Sequence, residues 1–415
     1  MDFDDTAEEA EFRAGARAFL EQNAKRREPG SGLVYRAGSE SPEVRKHAKQ
    51  WQAKKADAGY AGITWPKEWG GRGGTAIQQV IYDQEEAKYA VPRGLFDIGL
   101  GMCIPTLCSW GTQAHRDRYA RKALRGEEVW CQLFSEPAAG SDLAGLRTRA
   151  ERDGDHWVVN GQKIWTSGAH YCDFGVLVTR SDFAAPKHKG LTYFFLDMKS
   201  PGIEIRPIKQ ISGQSHFNEV FFTDVRIPDS QRLGKPGEGW KVSLTTLMNE
   251  RYTIGGRTSV GVEDIFELAR NIELDDGPAL KNAAVRDKLA DWYVSSQGLK
   301  YSHFRTMTAL SRGDTPGPES SIGKLVNGSK LQNIAAFALD LLEQGGVLTD
   351  PQLVPLAAVF QQTLMTSPSS RIAGGSDEIM RNIIAERVLG LPADVRVDKD
   401  LPFSALPTGK VKERT

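Results

Sequence analysis

Glu250 is one of the residues whose type and setting could do chemistry. It stands in Leu244-Thr245-Thr246-Leu247-Met248-Asn249-Glu250-Arg251-Tyr252-Thr253-Ile254, three residues after Leu247 and four before Ile254. On a helix those three share one face. A carboxylate on an apolar stripe is desolvated, which raises its pKa and its strength as a base. An ion pair with a basic neighbour from another helix is the plainer alternative. A second run, Arg371-Ile372-Ala373-Gly374-Gly375-Ser376-Asp377-Glu378-Ile379, reads as a helix start with Ser376 or Asp377 as its cap. Free N–H groups there hold an anion or a polarised oxygen, or they are simply the end of a helix.

Two further runs lie about 30 residues apart near the middle of the chain. Leu133-Phe134-Ser135-Glu136-Pro137-Ala138-Ala139-Gly140-Ser141-Asp142, with Arg147-Thr148 behind it, offers backbone N–H groups and hydroxyls without bulk. Such a concavity suits a phosphate or a flavin edge, and equally a capped turn. Gly161-Gln162-Lys163-Ile164-Trp165-Thr166-Ser167-Gly168 ends a strand with a tryptophan and two hydroxyl residues, and its bland reading makes Trp165 part of the core.

The elements that must position these residues change character twice. Residues 1–128 read as helical: Phe12, Ala16, Phe19 and Leu20 recur at helical spacing, and Pro66 with the glycines of Trp69-Gly70-Gly71-Arg72-Gly73-Gly74 breaks the run. Those glycines are a connection, not a phosphate loop, since no Gly-Lys-Ser/Thr follows. Residues 129–239 read as β. Asn160-Gly161 looks like a two-residue hairpin turn, and 174–179, 193–197, 203–208 and 220–225 are further strands. Residues 240–395 return to helix, with Val285, Leu289, Trp292 and Tyr293 in one stripe, Leu325 to Leu342 in another, and Ile379, Ile383 and Ile384 in a last one. Residues 396–415 read as a polar, unpacked tail or an arm on a partner.

Composition excludes several classes. Lysine plus arginine equals aspartate plus glutamate, 53 each, so no global field draws the chain to nucleic acid or an anionic membrane. Apolar runs fall short of the roughly 18 residues a membrane span needs, and the acidic start does not resemble a signal peptide, so a cytoplasmic protein is expected. Four scattered cysteines argue against a disulfide framework, and neither they nor the seven single histidines suggest a metal site or a serine triad.

Taken in order, the motifs resemble the acyl-CoA dehydrogenase family over nearly the whole chain. The Ser-Glu-Pro-x-Ala-Gly-Ser-Asp run is similar to the first family signature, and the Gly-Gly-Ser-Asp-Glu-Ile-x-Arg-Asn-Ile-Ile-Ala-Glu-Arg run to the second. Asn-Gly-x-Lys-x-Trp and the stretch from Asn218 to Pro228 match the middle domain. The resemblance implies an α+β protein: an N-terminal helical domain, a middle antiparallel β-barrel and a C-terminal four-helix bundle. FAD lies between barrel and bundles in that family, with a neighbouring subunit completing the site. Carried over by position, Gln132, Phe134, Ser135, Gly140 and Ser141 approach the flavin and its diphosphate. Trp165 and Ser167 flank the ring system, and Ser376 and Glu378 lie near ribose and adenine. Ser141 and Arg251 are assigned to the acyl-CoA substrate.

Many family members place the catalytic glutamate immediately before the Gly-Thr of the second signature, where this chain has Gly374. A minority, similar to isovaleryl- and long-chain dehydrogenases, carry it in a Glu-Arg pair on the bundle helix, matching Glu250-Arg251. The resemblance therefore implies Glu250 as base, the Gly374 N–H and a ribityl hydroxyl as donors to the thioester oxygen, and an electron-transferring flavoprotein as acceptor. Two elements depart from the pattern. The expected Arg-x-x-Phe-Gly is Arg270-Asn271-Ile272-Glu273-Leu274, and Gln-x-x-Gly-Gly is replaced around Asp340 to Gly346. Bacterial members acting on bulky or steroid-derived acyl-CoAs show similar losses. The expected assembly is a homo-oligomer, dimer or tetramer, with a hetero-oligomer containing a paralogue as the alternative. An acyl-CoA oxidase or flavin monooxygenase, or a subunit with little activity alone, are the rival functions.

Overall fold

A computed structural model describes residues 5–27, 41–254, 260–275, 277–311, 317–393, 395, 398 and 400–406, without the side chains of 250–254, 307, 310, 311, 320 and 357. The chain divides into two compact units: Met1–Ala37, Lys54–Arg93 and Ile254–Pro392 in one, Gly38–Ala53, Gly94–Thr253 and Ala393–Thr415 in the other. The helical arrays at the two ends of the sequence thus share a unit, and the β region forms the other with its own flanking helices.

In the first unit, α1 (Ala7–Asn23) opens with Thr6, whose hydroxyl and the Glu9 carboxylate form a capping box. It turns Phe12, Ala16 and Leu20 inward, as the spacing predicts. Helix α2 (Pro42–Asp57) spans the boundary of the two units, and α3 (Ala76–Glu86) is again opened by a capping threonine, Thr75.

The β-bearing unit contains α4 (Ile104–Trp110), α5 (Gln113–Leu124), strands β1 (Trp130–Leu133), β2 (Arg149–Asp153), β3 (His156–Ser167), β4 (Phe174–Arg180), β5 (Leu191–Asp197), β6 (Ile203–Ile208), β7 (Phe217–Pro228) and β8 (Arg232–Leu233), and most of α6 (Gly239–Ile254). The eight-stranded sheet runs β6-β7-β3-β2-β4-β5-β8, with β1 on β4. Most pairs are antiparallel, but β1 and β2 each meet β4 in parallel, so the sheet is mixed where an antiparallel one was expected.

One sequence expectation fails in an instructive way. The hairpin turn is not at Asn160-Gly161. It is at Gly154-Asp155, where Asp153 faces His156 and Gly154 takes φ 62, the geometry of a turn that needs glycine first. Strand β3 instead runs straight through Asn160 and Gly161 as a bulge against β7. Asn160 exchanges side-chain bonds with Asp224, which sits at φ 51. Gly161 is required there because a Cβ would lie 2.6–2.8 Å from Thr148.

In the first unit, α7 (Val262–Asn271), α8 (Ala283–Ser311), α9 (Ser320–Leu341) and α10 (Val359–Ser370) bury a shared core that includes Ile265, Leu268, Leu289, Ile334 and Phe360, and α11 (Asp377–Ile383) follows. Val285 and Leu289 face inward as read from sequence, whereas Tyr293 is half exposed.

Candidate active site

Strand β3 ends in a second bulge, between Lys163 and Thr166, and Trp165 is the residue it ejects. Its φ is 61 and its side chain is 55% exposed, with Phe217 edge-on at 5.9 Å. The core reading of Trp165 is therefore incorrect. A bulky residue in the left-handed region costs on the order of 1–3 kcal/mol, a strain that persists only where the surroundings enforce it. Beside it the Thr166 hydroxyl is buried, with no hydrogen-bond partner among the described residues. Ser167, half buried, closes the strand opposite Phe217.

The Ser-Glu-Pro run lies along this strand. Ile164 N–H donates to the Ser135 carbonyl at 2.9 Å, and Glu136 and Ala139 exchange backbone bonds of 3.0 Å, closing a tight turn. Glu136 is turned inward. Its carboxylate accepts from the Arg147 N–H (2.6 Å), the Thr148 N–H (2.8 Å) and Lys163 Nζ (2.9 Å), and Lys163 also donates to the Phe134 carbonyl. Burial alone would raise Glu136, but the Lys163 charge and these donors hold its carboxyl below the usual range. Lys163 is fully buried, and burial pushes its ammonium down despite the attraction of Glu136. The pair pins the turn so that Gly140 and Ser141 stand exposed, with no heavy atom within 4 Å of a Cβ placed at Gly140. Gln132 is half buried on β1, and Phe134 is buried edge-on to Tyr193 at 5.9 Å.

Behind this surface α6 is fixed through hydroxyls: Thr246 bonds Tyr193 (2.8 Å) and Thr106 (3.0 Å), and Thr245 accepts from the Trp110 indole at 3.0 Å. Glu250 and Arg251 lie on α6, position 250 one turn beyond Thr246, and their side chains lie outside the described residues.

In the other unit, Gly374 and Gly375 take φ 67 and 97 in succession, which only glycine does without strain. Ser376 caps α11 by accepting from the Ile379 N–H at 3.4 Å, and Glu378 is exposed in its first turn. Its carboxyl is lowered by its own backbone N–H and by the Ser376 hydroxyl. Arg371 ties the turn together, donating to Asp377 (2.7 Å) and Gln332 (3.0 Å), while Lys324 donates to the Gly375 carbonyl.

Sequence reasoning named the motifs but passed over the residues that hold them. Lys163, Glu136, Arg371 and Lys324 were given no role. A lysine at an inward position of an alternating strand is a readable signal, because it demands a buried acid; its partner's identity is not readable, since Glu136 lies on a separate segment. Among the described residues no cluster of metal-ligating side chains occurs, and no helix is long and apolar enough to cross a membrane.

Helices, a mixed sheet with a strained aromatic bulge, and helices again make up the architecture, and the comparisons specify the family. Residues 6–127, 131–225 and 237–389 match the N-terminal, middle and C-terminal domains of acyl-CoA dehydrogenase in turn. The acyl-CoA dehydrogenase IpdE1 of Mycobacterium tuberculosis is 34% identical over 391 residues, 93% of this chain and 98% of the relative. FadE34 of the same organism is 39% identical over 343 residues, 82% of this chain; the match spans 46% of FadE34, less than half its length. Among solved structures, the Tcur3481-Tcur3483 steroid acyl-CoA dehydrogenase is similar at TM-score 0.78 and 28% identity, covering 95% of this chain and 100% of that one. The ChsE4-ChsE5 complex from Mycobacterium tuberculosis is similar at TM-score 0.74 and 25% identity, covering 95% and 100%. The chain belongs to the acyl-CoA dehydrogenase family, a family of oxidoreductases.

Proposed function

We propose that the chain is a FAD-dependent dehydrogenase that converts an acyl-CoA to its trans-2-enoyl-CoA, with Glu250 as the base. The observation that carries this reading is Trp165, held outside the core at positive φ. A flat aromatic ligand gives that exposed, strained ring a purpose. The residues fit FAD: Gln132, Phe134, Ser135, Gly140 and Ser141 would meet the flavin and its diphosphate, Trp165 and Ser167 the ring system, and Ser376 and Glu378 the ribose and adenine. When bound, the flavin supplies a hydride acceptor for the β-hydrogen.

Glu250 removes the α-proton. A thioester α-carbon is only weakly acidic, so the negative charge growing on the carbonyl oxygen needs a fixed donor, and the Gly374 N–H is assigned that task. Substrate covering the site would desolvate Glu250 and raise its pKa towards the working pH. Ser141 and Arg251 contact the acyl-CoA. The likeness to a steroid acyl-CoA dehydrogenase supports a bulky, steroid-derived acyl group. Electrons pass to an electron-transferring flavoprotein, and the assembly is a homo-oligomer.

A second reading makes the chain one subunit of a hetero-oligomer. The departures at residues 270–278 and 340–346 favour it, as does the likeness to the ChsE4-ChsE5 complex. Purification alone separates the two: a yellow protein bleached by acyl-CoA without oxygen supports the first. A colourless preparation that FAD does not reconstitute supports the second. Oxygen consumption at the rate of bleaching would instead mark an oxidase.

A further inference from the structure

The described part of the C-terminal tail is packed at Phe403, contrary to the expectation of an unpacked segment, and what it packs on is Phe183 and the Arg180 side chain, whose bonds reach the 144–146 stretch just after Gly140 and Ser141. Phe403 is buried, 4% exposed, with its ring face 3.4 Å from the Arg180 guanidinium carbon. Its backbone N–H donates to the Ala185 carbonyl and that of Ser404 to the Phe183 carbonyl; Pro402 bridges Pro186. Arg180 is itself fully buried, and among the described residues no carboxylate is in hydrogen-bond contact with it. It donates to the carbonyls of Ala144 (2.6 Å), Leu146 (3.0 Å) and Lys187 (3.2 Å). Burial pushes its pKa down to about 10. A second tie runs beside the first: Lys187 Nζ bonds Asp142 at 3.1 Å and Asp398 as well.

The tail therefore grips, through Arg180 and Lys187, the carbonyls and the carboxylate of residues 142–146, the stretch that follows directly on Gly140 and Ser141. Without Phe403 water reaches Arg180, and its three bonds to carbonyls weaken in competition with solvent. Leu143, Ala144 and Leu146 bury their side chains, but the backbone that carries them is irregular, and the Ala144 and Leu146 carbonyls are held by Arg180, so local opening of the stretch depends on that clamp.

We propose that Asp398 and residues 400–406 form an intramolecular latch, with Phe403 as its central positioning residue, that sets the shape of the 140–146 turn and through it the affinity for the cofactor diphosphate. The link to the cofactor rests on the function proposed above; the latch itself does not.

The test uses the full-length chain and two readouts. Hydrogen exchange at the Gly145 and Leu146 amides, which bond to Asp142 and Leu143 carbonyls, reports the turn directly. Titration with FAD, followed by flavin fluorescence, reports the cofactor. Phe403→Ala should speed exchange at both amides about tenfold and weaken FAD binding about tenfold, with β5 amides as protected as before. Phe403→Trp should restore both values. Asp398→Asn, at a partly exposed site that cannot unfold the core, should speed the same exchange several-fold. Unchanged exchange in both Phe403→Ala and Asp398→Asn overturns the latch. Faster exchange with unchanged FAD affinity in Phe403→Ala overturns its role in cofactor binding. A wild-type chain that binds no FAD, with the exchange effect intact, sinks the proposed function and leaves the latch standing.

Discussion

Trp165 shows how a single residue's conformation separates a structural role from a ligand-facing one. Replacing it with glycine relieves the positive φ, a gain of roughly 1 kcal/mol, and loses the contact with Phe217, worth a similar amount. Trp165→Gly is expected to unfold in urea within about 1 kcal/mol of wild type while its FAD affinity falls at least about tenfold. A core tryptophan would instead cost about 3–5 kcal/mol, and that result would return Trp165 to the core. At this scale the sequence was partly legible. The type and position of Trp165 mark it out, but the direction of its ring depends on a bulge, and a bulge depends on the register of β3 against β7.

Register is a property of elements, and there the reading from sequence divided cleanly. Strands 174–179 and 203–208 were legible, the first as a continuous apolar run and the second by alternation, each bounded by turn residues, whereas Asn160-Gly161 imitated a hairpin. The competing glycine, Gly154, had flanking residues too polar to stand out, and only the pairing of Asn160 with Asp224 decides between them. The Lys163–Glu136 pair joins a turn to that strand, and it makes a sharp prediction. Lys163→Met leaves a buried, unpaired carboxylate and should destabilise the chain by about 3 kcal/mol or more in urea. Adding Glu136→Leu should not restore stability, because the Arg147 and Thr148 N–H groups lose their acceptor at about 1–3 kcal/mol each. Wild-type stability in the double variant would mean that the pair is not what holds the turn.

Across the whole molecule the order of helical, β and helical segments was legible because period changes over a hundred residues average out local ambiguity. The joining of both helical ends into one unit was not, since nothing local encodes which distant faces meet. One acid reports on that unit. Glu85 on α3 is buried and bonded to Arg13, Arg17 and Lys88 at 3.2, 3.2 and 2.8 Å. Burial would raise its carboxyl, yet these cations bring it from 4.5 down to about 2. A depressed folded-state pKa contributes stability that is complete above the unfolded value and is lost as pH falls through the folded one. The contribution, at most about 3 kcal/mol, should therefore disappear between pH 4.5 and about 2. Glu85→Gln should be less stable at pH 7 and lack that acid-dependent loss. An unchanged acid profile in urea denaturation against pH would show that Glu85 does not carry it.

The central claim concerns one proton, and stopped-flow reduction under anaerobic conditions reads it. With wild type and Glu250→Gln both loaded with FAD and mixed with the same steroidal acyl-CoA, flavin absorbance should bleach in the first. In the second it should persist with ligand bound, slower by about a hundredfold to ten-thousandfold. Bleaching of the variant at the wild-type rate would contradict the account.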